Sequence, residues 1–130
     1  MDRKLNGILV KAVRHPAIYY LAKDCKIDYL LFDLEHTEYS LDTLHDLFFV
    51  GNTIGVLNWV RIPEITKSYI SRYLDCGATG IMAPMVESKE EAEMLVYYAK
   101  YKPVGNRGFS TGAFNFYKSS NGQHRKIMDE

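Results

Sequence analysis

Short apolar runs alternate along this chain with segments in which apolar residues recur at helical spacing. Four of the runs predict β-strands, at residues 7–13, 28–33, 54–62 and 79–84. The runs are apolar on both faces, which is typical of strands buried in a parallel sheet. Their alternation with helices predicts an α/β fold of parallel (β/α) repeats, with about four strands and four helices.

Residues that start or stop helices lie between the predicted strands. Ser88 is followed three positions later by Glu91, a capping box that would satisfy free amides in the first turn of the last helix. The other predicted boundaries are a first helix near residues 16–26, a cap at Ser40, a first turn at Pro63 and a left-handed stop at Gly77. Each boundary falls where the apolar spacing changes, so local and long-range signals agree.

Length and composition indicate one domain over residues 1–130, with mobile ends expected at residues 1–6 and 118–130. The chain has 130 residues, of which 47% are hydrophobic, so a sizeable core can form. After Tyr101 the sequence becomes rich in glycine, serine and asparagine, which predicts a long loop. Within it, Arg107 is expected to present a cation beside exposed backbone amides.

The charge balance and the two cysteines limit the possible partners and the location. The formal net charge is zero, which removes the general attraction of a basic protein for phosphate backbones or anionic lipid. Cys25 and Cys76 lie far apart without metal-type spacing, a usage that suits a reducing compartment. No apolar run approaches the roughly 20 residues that span a bilayer. We therefore expect a cytoplasmic protein that binds neither nucleic acid nor membrane.

The stretch DYLLFDLEH ends an apolar strand with Asp33, Glu35 and His36. In parallel α/β folds the carboxyl ends of strands carry the chemistry, and histidine exchanges protons readily near neutral pH. His36 is therefore a candidate general base. Alternation along an extended chain would place Asp33 and Glu35 on one side and His36 on the other. The alternative is that His36 caps the next turn and the acids are solvated.

A second strand, VLNWVRIP, delivers Arg61 to the same edge of the sheet. A planar guanidinium suits a carboxylate or a developing enolate, and an ion pair with Glu64 or with an acid after the neighbouring strand is equally compatible with the pattern. Asp75, near the end of the third helix, has a structural role by sequence pattern alone.

Four stretches taken together, DYLLFDLEH, VLNWVRIP, YLDCGATGIMAPMVES and KPVGNRG, resemble the HpcH/HpaI aldolase family. The resemblance runs over about residues 7–117. It implies an eight-stranded (β/α) TIM-type barrel, which typically has about 250 residues. It also implies a metal-dependent class II pyruvate aldolase, a lyase that cleaves 4-hydroxy-2-oxo acids to pyruvate and an aldehyde.

The resemblance also implies roles for particular residues. His36 matches the catalytic histidine in a D-x-E-H pattern, Arg61 matches the arginine that stabilises the pyruvate enolate and binds substrate, and Asp75 matches an aspartate that pairs with the histidine. A carboxylate partner would fix the tautomer of the imidazole and increase its basicity. A divalent ion (Mg, Mn or Co) would chelate the 2-oxo acid.

This chain matches only the amino-terminal half of such a barrel. The metal ligands implied by the resemblance, a glutamate and an aspartate, belong to strands after the fourth and have no counterpart here, so no metal ligand is assigned. A half-barrel would expose unpaired strand edges and an apolar inner face, which predicts a homo-oligomer.

Three functions remain open at this point. The first is a truncated aldolase that acts on a 2-oxo acid and an aldehyde. The second is a catalytically inactive chain that serves as an oligomerising or small-molecule-binding module. The third is another α/β binding domain; a glycine-rich phosphate loop after the first strand would favour it, and VKAVRHP has none.

Overall fold

The computed structural model describes residues 3–109, which form four β-α units in sequence. The elements are β1 (Gly7–Val10), α1 (Ala17–Asp24), β2 (Tyr29–Asp33), α2 (Leu41–Ile54), β3 (Leu57–Arg61), α3 (Lys67–Cys76), β4 (Gly80–Met82) and α4 (Lys89–Ala99). The predicted alternation of four strands with four helices is confirmed. None of these helices is long and apolar enough to cross a membrane.

The four strands form one parallel sheet in the order β1-β2-β3-β4. Sequential strands are neighbours, as expected when each helix leads the chain back to the end of the sheet at which the strands begin. The register pairs Phe32 with Val60 and, one residue further, Asp33 with Arg61. All four strands point the same way, so their carboxyl ends and the loops that follow lie along one rim.

The core lies between the sheet and the helices. Phe32 has no exposed surface and packs edge-on against Phe48 of α2, with ring centroids 5.4 Å apart. Leu30 and Val60 are also fully buried on this side of the sheet. Each such side chain contributes about 1.5–3 kcal/mol of hydrophobic stabilisation. The helix-facing side therefore anchors the strands that lead to the rim.

Aromatic rings lie across the opposite face of the sheet. Tyr29 and Trp59 stack there with centroids 4.1 Å apart. Their rings cover the two glycines in the outer strands: a Cβ at Gly7 would overlap the Tyr29 ring, and one at Gly80 would stand 2.7 Å from Trp59. Leu9 on the same face is 47% exposed. This face is only partly covered within the described residues.

Local capping chemistry sets several helix ends as predicted. Ser40 accepts a hydrogen bond from the backbone of Thr43 at 3.1 Å and begins α2. Ser88 and Glu91 form the expected capping box at the start of α4. Gly77 ends α3 with a φ of 114°, a conformation that glycine adopts without the strain of a side chain.

The start of α3 differs from the prediction. Pro63 lies outside the helix, which begins at Lys67 after an N-cap at Thr66. The Thr66 side chain accepts a hydrogen bond from the backbone of Tyr69 at 3.3 Å. The Thr66 hydroxyl stabilises a helix start by capping a free amide, whereas proline is only tolerated in a first turn. The helix therefore starts at Lys67, four residues after the predicted start at Pro63.

The predicted strands were also too long. β1 ends at Val10 and β4 at Met82. Residues 54–56 do not belong to β3, because α2 continues to Ile54 and Gly55 then turns the chain with a φ of 80°. Apolar periodicity could not mark this boundary, since the end of the helix and the start of the strand are equally apolar.

Residues 102–109 contain no helix or strand, in agreement with the predicted loop. The remainder of that loop, the helix that the tail HRKIMDE was expected to begin and the mobile end expected at residues 118–130 lie outside the described residues.

Near the other end, Arg3 forms an ion pair with Asp28, and the backbone of Asn6 donates to the same carboxylate at 2.9 Å.

Candidate active site

The rim is organised around a buried carboxylate and the guanidinium on the neighbouring strand. Asp33 ends β2, Arg61 ends β3, and the parallel register sets them side by side. Arg61 Nε donates to Asp33 Oδ1 at 3.0 Å, and Nη2 donates to Oδ2 at 2.7 Å. Two parallel bonds from a planar fork fix the orientation of the guanidinium as well as its position.

The same carboxylate shapes the loop that carries His36. Asp33 Oδ1 accepts hydrogen bonds from the backbone amides of Glu35 and His36, both at 3.2 Å. The Thr37 hydroxyl donates to the Asp33 carbonyl oxygen. These contacts turn the chain directly after β2, so the acidic residue that ends the strand positions the histidine three residues later.

The charge of Asp33 is stabilised by these neighbours. Hydrogen bonding from Arg61 holds the pKa of the Asp33 carboxyl well below its usual range, although burial opposes this shift. The His36 backbone amide and the Lys11 ammonium lower the pKa further. In turn, the hydrogen bond with Asp33 raises the pKa of the Arg61 guanidinium. Asp33 is therefore ionised at neutral pH.

Glu35 connects the guanidinium with the imidazole. Its Oε2 lies 3.2 Å from Arg61 Nε and 3.7 Å from His36 Nε2. The expected separation of Glu35 and His36 onto opposite sides is wrong, because the chain leaves the extended conformation after Asp33. Of the two interpretations of Arg61, the ion pair with acids at the neighbouring strand is present, formed by Asp33 and Glu35.

The structure brings His36 and Arg61 to one place and leaves Asp75 elsewhere. His36 is 60% exposed, and within residues 3–109 Glu35 is the only carboxylate within 4 Å of its ring. Asp75, in α3, instead accepts a hydrogen bond from Arg107 Nη2 at 2.7 Å. The expected contact between Asp75 and His36 is absent from the described part of the chain. Membership of Asp75 in the site stays a prediction.

Arg107 does not present its charge to solvent as the sequence suggested. Its side chain is buried, and its guanidinium lies 4.9 Å from the centre of the Tyr101 ring in addition to its bond with Asp75. Arg107 therefore ties the loop after α4 to the end of α3, an anchoring role that its position between glycines did not indicate.

Two residues of the site were not assigned by sequence reasoning. Asp33 was recognised as an acid at the end of its strand, but its hydrogen bonds to Arg61 and to the loop amides were not predicted. Lys11 was also missed; its Nζ lies 3.3 Å from Asp33 Oδ2. Its position becomes meaningful only once the register between β1 and β2 is known.

The described residues do not fit a divalent-ion site by themselves. Residues 3–109 contain no group of three His, Cys, Asp or Glu side chains arranged to hold a metal ion. The oxygens of Asp33 already accept hydrogen bonds from Arg61 and two backbone amides, and Oδ2 is paired with Lys11. Glu35 is paired with Arg61. Such cation-paired carboxylates are poor ligands for a second cation.

Comparison with known proteins identifies the family to which this fold and rim belong. Residues 10–128 match the description HpcH/HpaI aldolase/citrate lyase. The chain belongs to this family. The solved structure of an HpcH/HpaI aldolase from Desulfitobacterium hafniense DCB-2 superposes with a TM-score of 0.91 and 31% identity, over 95% of this chain and 48% of that one. The four β-α units thus correspond to about half of an HpcH/HpaI barrel.

Curated relatives in the family are named as aldolases. A 4-hydroxy-4-methyl-2-oxoglutarate aldolase of Hapsidospora irregularis is 32% identical over 106 residues, which are 81% of this chain and 39% of the relative. A 4-hydroxy-2-oxovalerate aldolase of Novosphingobium aromaticivorans is 36% identical over 98 residues, or 75% of this chain and 37% of the relative. The chain thus spans less than half the length of these HpcH/HpaI relatives.

Proposed function

We propose that this chain carries the proton-transfer and enolate-binding residues of a metal-dependent class II pyruvate aldolase, a carbon-carbon lyase acting on 4-hydroxy-2-oxo acids. The observation that carries the proposal is the linkage of Arg61, Glu35 and His36 around buried Asp33 at the carboxyl rim. The names of the relatives support the substrate class, because both describe aldolases of 4-hydroxy-2-oxo acids.

His36 is the proposed base. Its ring would take the proton of the 4-hydroxyl group while the bond between C3 and C4 breaks. C4 then leaves as the carbonyl carbon of an aldehyde, and the bonding electrons form the enolate of pyruvate, with negative charge on the C2 oxygen. The protonated His36 ring then gives this proton to C3, which completes the conversion to pyruvate and restores the base. Glu35, 3.7 Å from Nε2, would stabilise the protonated ring.

Arg61 is the proposed partner of the enolate oxygen. Its Nε and Nη2 are held by Asp33 and Glu35, whereas within residues 3–109 its Nη1 donors make no hydrogen bond. A cation that is already oriented before substrate arrives stabilises developing charge without a reorganisation cost. The ion pair with Asp33 thus supports the catalytic role, because it fixes the direction of the remaining donors.

Other parts of the proposal rest on the family resemblance. They are a divalent ion (Mg, Mn or Co), a homo-oligomer, a cytoplasmic location and a role for Asp75 beside the histidine. The described residues supply no complete set of ligands for the ion, so no step is derived through it. The Arg107 contact gives Asp75 a structural role within one chain, and the catalytic assignment of Asp75 requires a separate test.

An aldol assay tests the proposal. The full chain is incubated with pyruvate, glycolaldehyde and Mn²⁺ or Mg²⁺, and the aldol product is measured by chromatography. Product is expected with the wild type and with His15→Ala, a matched exposed histidine in the loop between β1 and α1, and its loss is expected in His36→Ala. Formation of product by His36→Ala at the wild-type rate would contradict the assignment of the base.

The second candidate is a catalytically inactive module that oligomerises or binds small molecules. It is favoured by the incompletely covered sheet face, where Leu9 is 47% and Met82 41% exposed. Sedimentation velocity combined with pyruvate and Mn²⁺ titrations separates the two functions. An oligomer that binds neither pyruvate nor metal supports the module, whereas metal-dependent aldol formation excludes it.

A further inference from the structure

Lys11 lies in the same row of the sheet as Asp33 and Arg61. The register pairs Val10 with Phe32 and Asp33 with Arg61, so the residue after β1 stands beside the carboxylate that ends β2. Lys11 Nζ is 3.3 Å from Asp33 Oδ2. The Lys11 side chain is 49% exposed, whereas Asp33 has no exposed surface. The ammonium therefore faces both the buried acid and the open rim.

The charges of the rim explain why a second cation matters. Asp33 and Glu35 both pair with Arg61, so these three groups together carry a net negative charge. Such a cluster would repel a 2-oxo acid, which is itself an anion at neutral pH. The ammonium of Lys11 brings the sum to zero with His36 neutral. Lys11 therefore removes the repulsion that Asp33, Glu35 and Arg61 together would exert on an anionic substrate.

We propose that Lys11 is a substrate-binding residue that holds the carboxylate of the 2-oxo acid beside Arg61, an inference that rests on the proposed function. An ammonium carries three N–H donors, and the ion pair with Asp33 occupies one of them. Because the Lys11 side chain is 49% exposed, its remaining donors are accessible to a bound anion. Lys11 would then bind the carboxylate while Arg61 Nη1 meets the enolate oxygen, which divides two anionic groups between two cations.

Fluorescence of Trp59 provides a direct binding assay. Trp59 is the single tryptophan of the chain and precedes Arg61 by two residues on the same strand. The full chain and its variants Lys11→Met, Lys11→Arg and Lys4→Met are titrated with pyruvate, with oxalate and with pyruvamide, the uncharged amide of pyruvate. Lys4 is exposed and serves as the matched control. Circular dichroism verifies that each variant is folded.

The expected result separates charge from structure. Lys11→Met should weaken pyruvate and oxalate binding about fivefold, the scale of a partly exposed charge pair, and change pyruvamide binding by less than about twofold. Lys11→Arg and Lys4→Met should bind pyruvate as the wild type does. If Lys11→Met does not fold, Lys11→Gln, which keeps a donor for Asp33 without the charge, makes the same comparison.

The other outcomes are distinguishable. Unchanged pyruvate affinity in Lys11→Met overturns the role of Lys11 and leaves the proposed function standing. If the protein binds oxalate through Lys11 but does not bind pyruvate, Lys11 is an anion-binding residue and the proposed aldolase function is contradicted. A wild type that binds neither anion overturns both. Equal weakening of pyruvate and pyruvamide overturns the role of Lys11, because it shows a structural effect instead of recognition of the carboxylate.

Discussion

Arg61 donates hydrogen bonds through Nε and Nη2 to the two carboxylate oxygens of Asp33, a residue without exposed surface. Because the same carboxylate also accepts hydrogen bonds from the backbone amides of Glu35 and His36, one buried acid positions both the guanidinium and the backbone of the loop that carries His36. The apolar strand before Asp33 thus has a functional consequence, since its burial in the core holds the acid rigidly at the rim.

Replacement of this acid by its amide should weaken both the fold and the site. Asp33→Asn keeps the shape but removes the charge to which Arg61 and the loop amides bind, and it leaves buried donors poorly matched. The free energy of unfolding should fall by about 2 kcal/mol in urea titrations. Asp46→Asn, an exposed acid on α2, is the control and should change it by less than about 0.5 kcal/mol. Equal stability of wild type and Asp33→Asn would contradict the account.

The stability of the chain should depend on pH through Asp33. Because the hydrogen bond from Arg61 lowers the pKa of this carboxyl in the folded state, the stabilisation is fully present above the unfolded-state value of about 4. It is lost as the pH falls below that value towards the lower folded pKa. The difference between the urea midpoints of wild type and Asp33→Asn should therefore be constant from pH 7 to pH 5 and should narrow as the pH is lowered to 3. Parallel curves throughout would be inconsistent with this linkage.

Gly51 in α2 should not accept a side chain, although alanine is the better helix former. A Cβ there would overlap Asn58 Oδ1 and the Tyr19 ring, which are hydrogen-bonded to each other in the core. Gly51→Ala should destabilise the protein by about 1–3 kcal/mol. Gly108→Ala, where a Cβ meets open space, should have almost no effect. Thermal unfolding of the two variants makes the comparison, and a Gly51→Ala protein as stable as wild type would refute it.

The two cysteines should differ strongly in reactivity. Burial, with smaller contributions from nearby aspartates, raises the pKa of the Cys76 thiol to about 11, about two units above its ordinary value. Cys25 is exposed. In the folded protein near pH 8, the exposed Cys25 should react with a disulfide reagent, and Cys76 should react roughly a hundredfold more slowly than an ordinary exposed thiol, since only the thiolate is reactive. In Cys25→Ser, rapid reaction of the remaining thiol would show that Cys76 is not protected.

Much of the fold could be predicted from the sequence because its signals are local. The caps at Ser40 and Ser88 and the stop at Gly77 depend on neighbouring backbone atoms, and the structure confirms them. The start of α3 was missed because Pro63 and Thr66 both permit a helix start, and the choice depends on which free amides find an acceptor. The end of α2 was missed because apolar residues continue into β3.

The site was only partly predictable, because its contacts depend on register. His36 and Arg61 could be placed at the ends of strands, but the position of Arg61 opposite Asp33 requires the exact alignment of β2 with β3. Asp75 was assigned to His36 by resemblance, whereas its partner in the structure is Arg107, from a loop with no periodic signal. Pairing between distant segments therefore limited the prediction more than secondary structure did.

Deuterium exchange into pyruvate tests the central claim most directly, because it requires the base and the enolate-binding cation but no aldehyde. The full chain is incubated with pyruvate and Mg²⁺ in D₂O, and the methyl signal of pyruvate is followed by proton NMR. The wild type and His15→Ala should exchange the methyl protons, and His36→Ala should be slower by about a hundredfold or more. Exchange by folded His36→Ala at the wild-type rate would contradict the assignment of His36 as the base of this site.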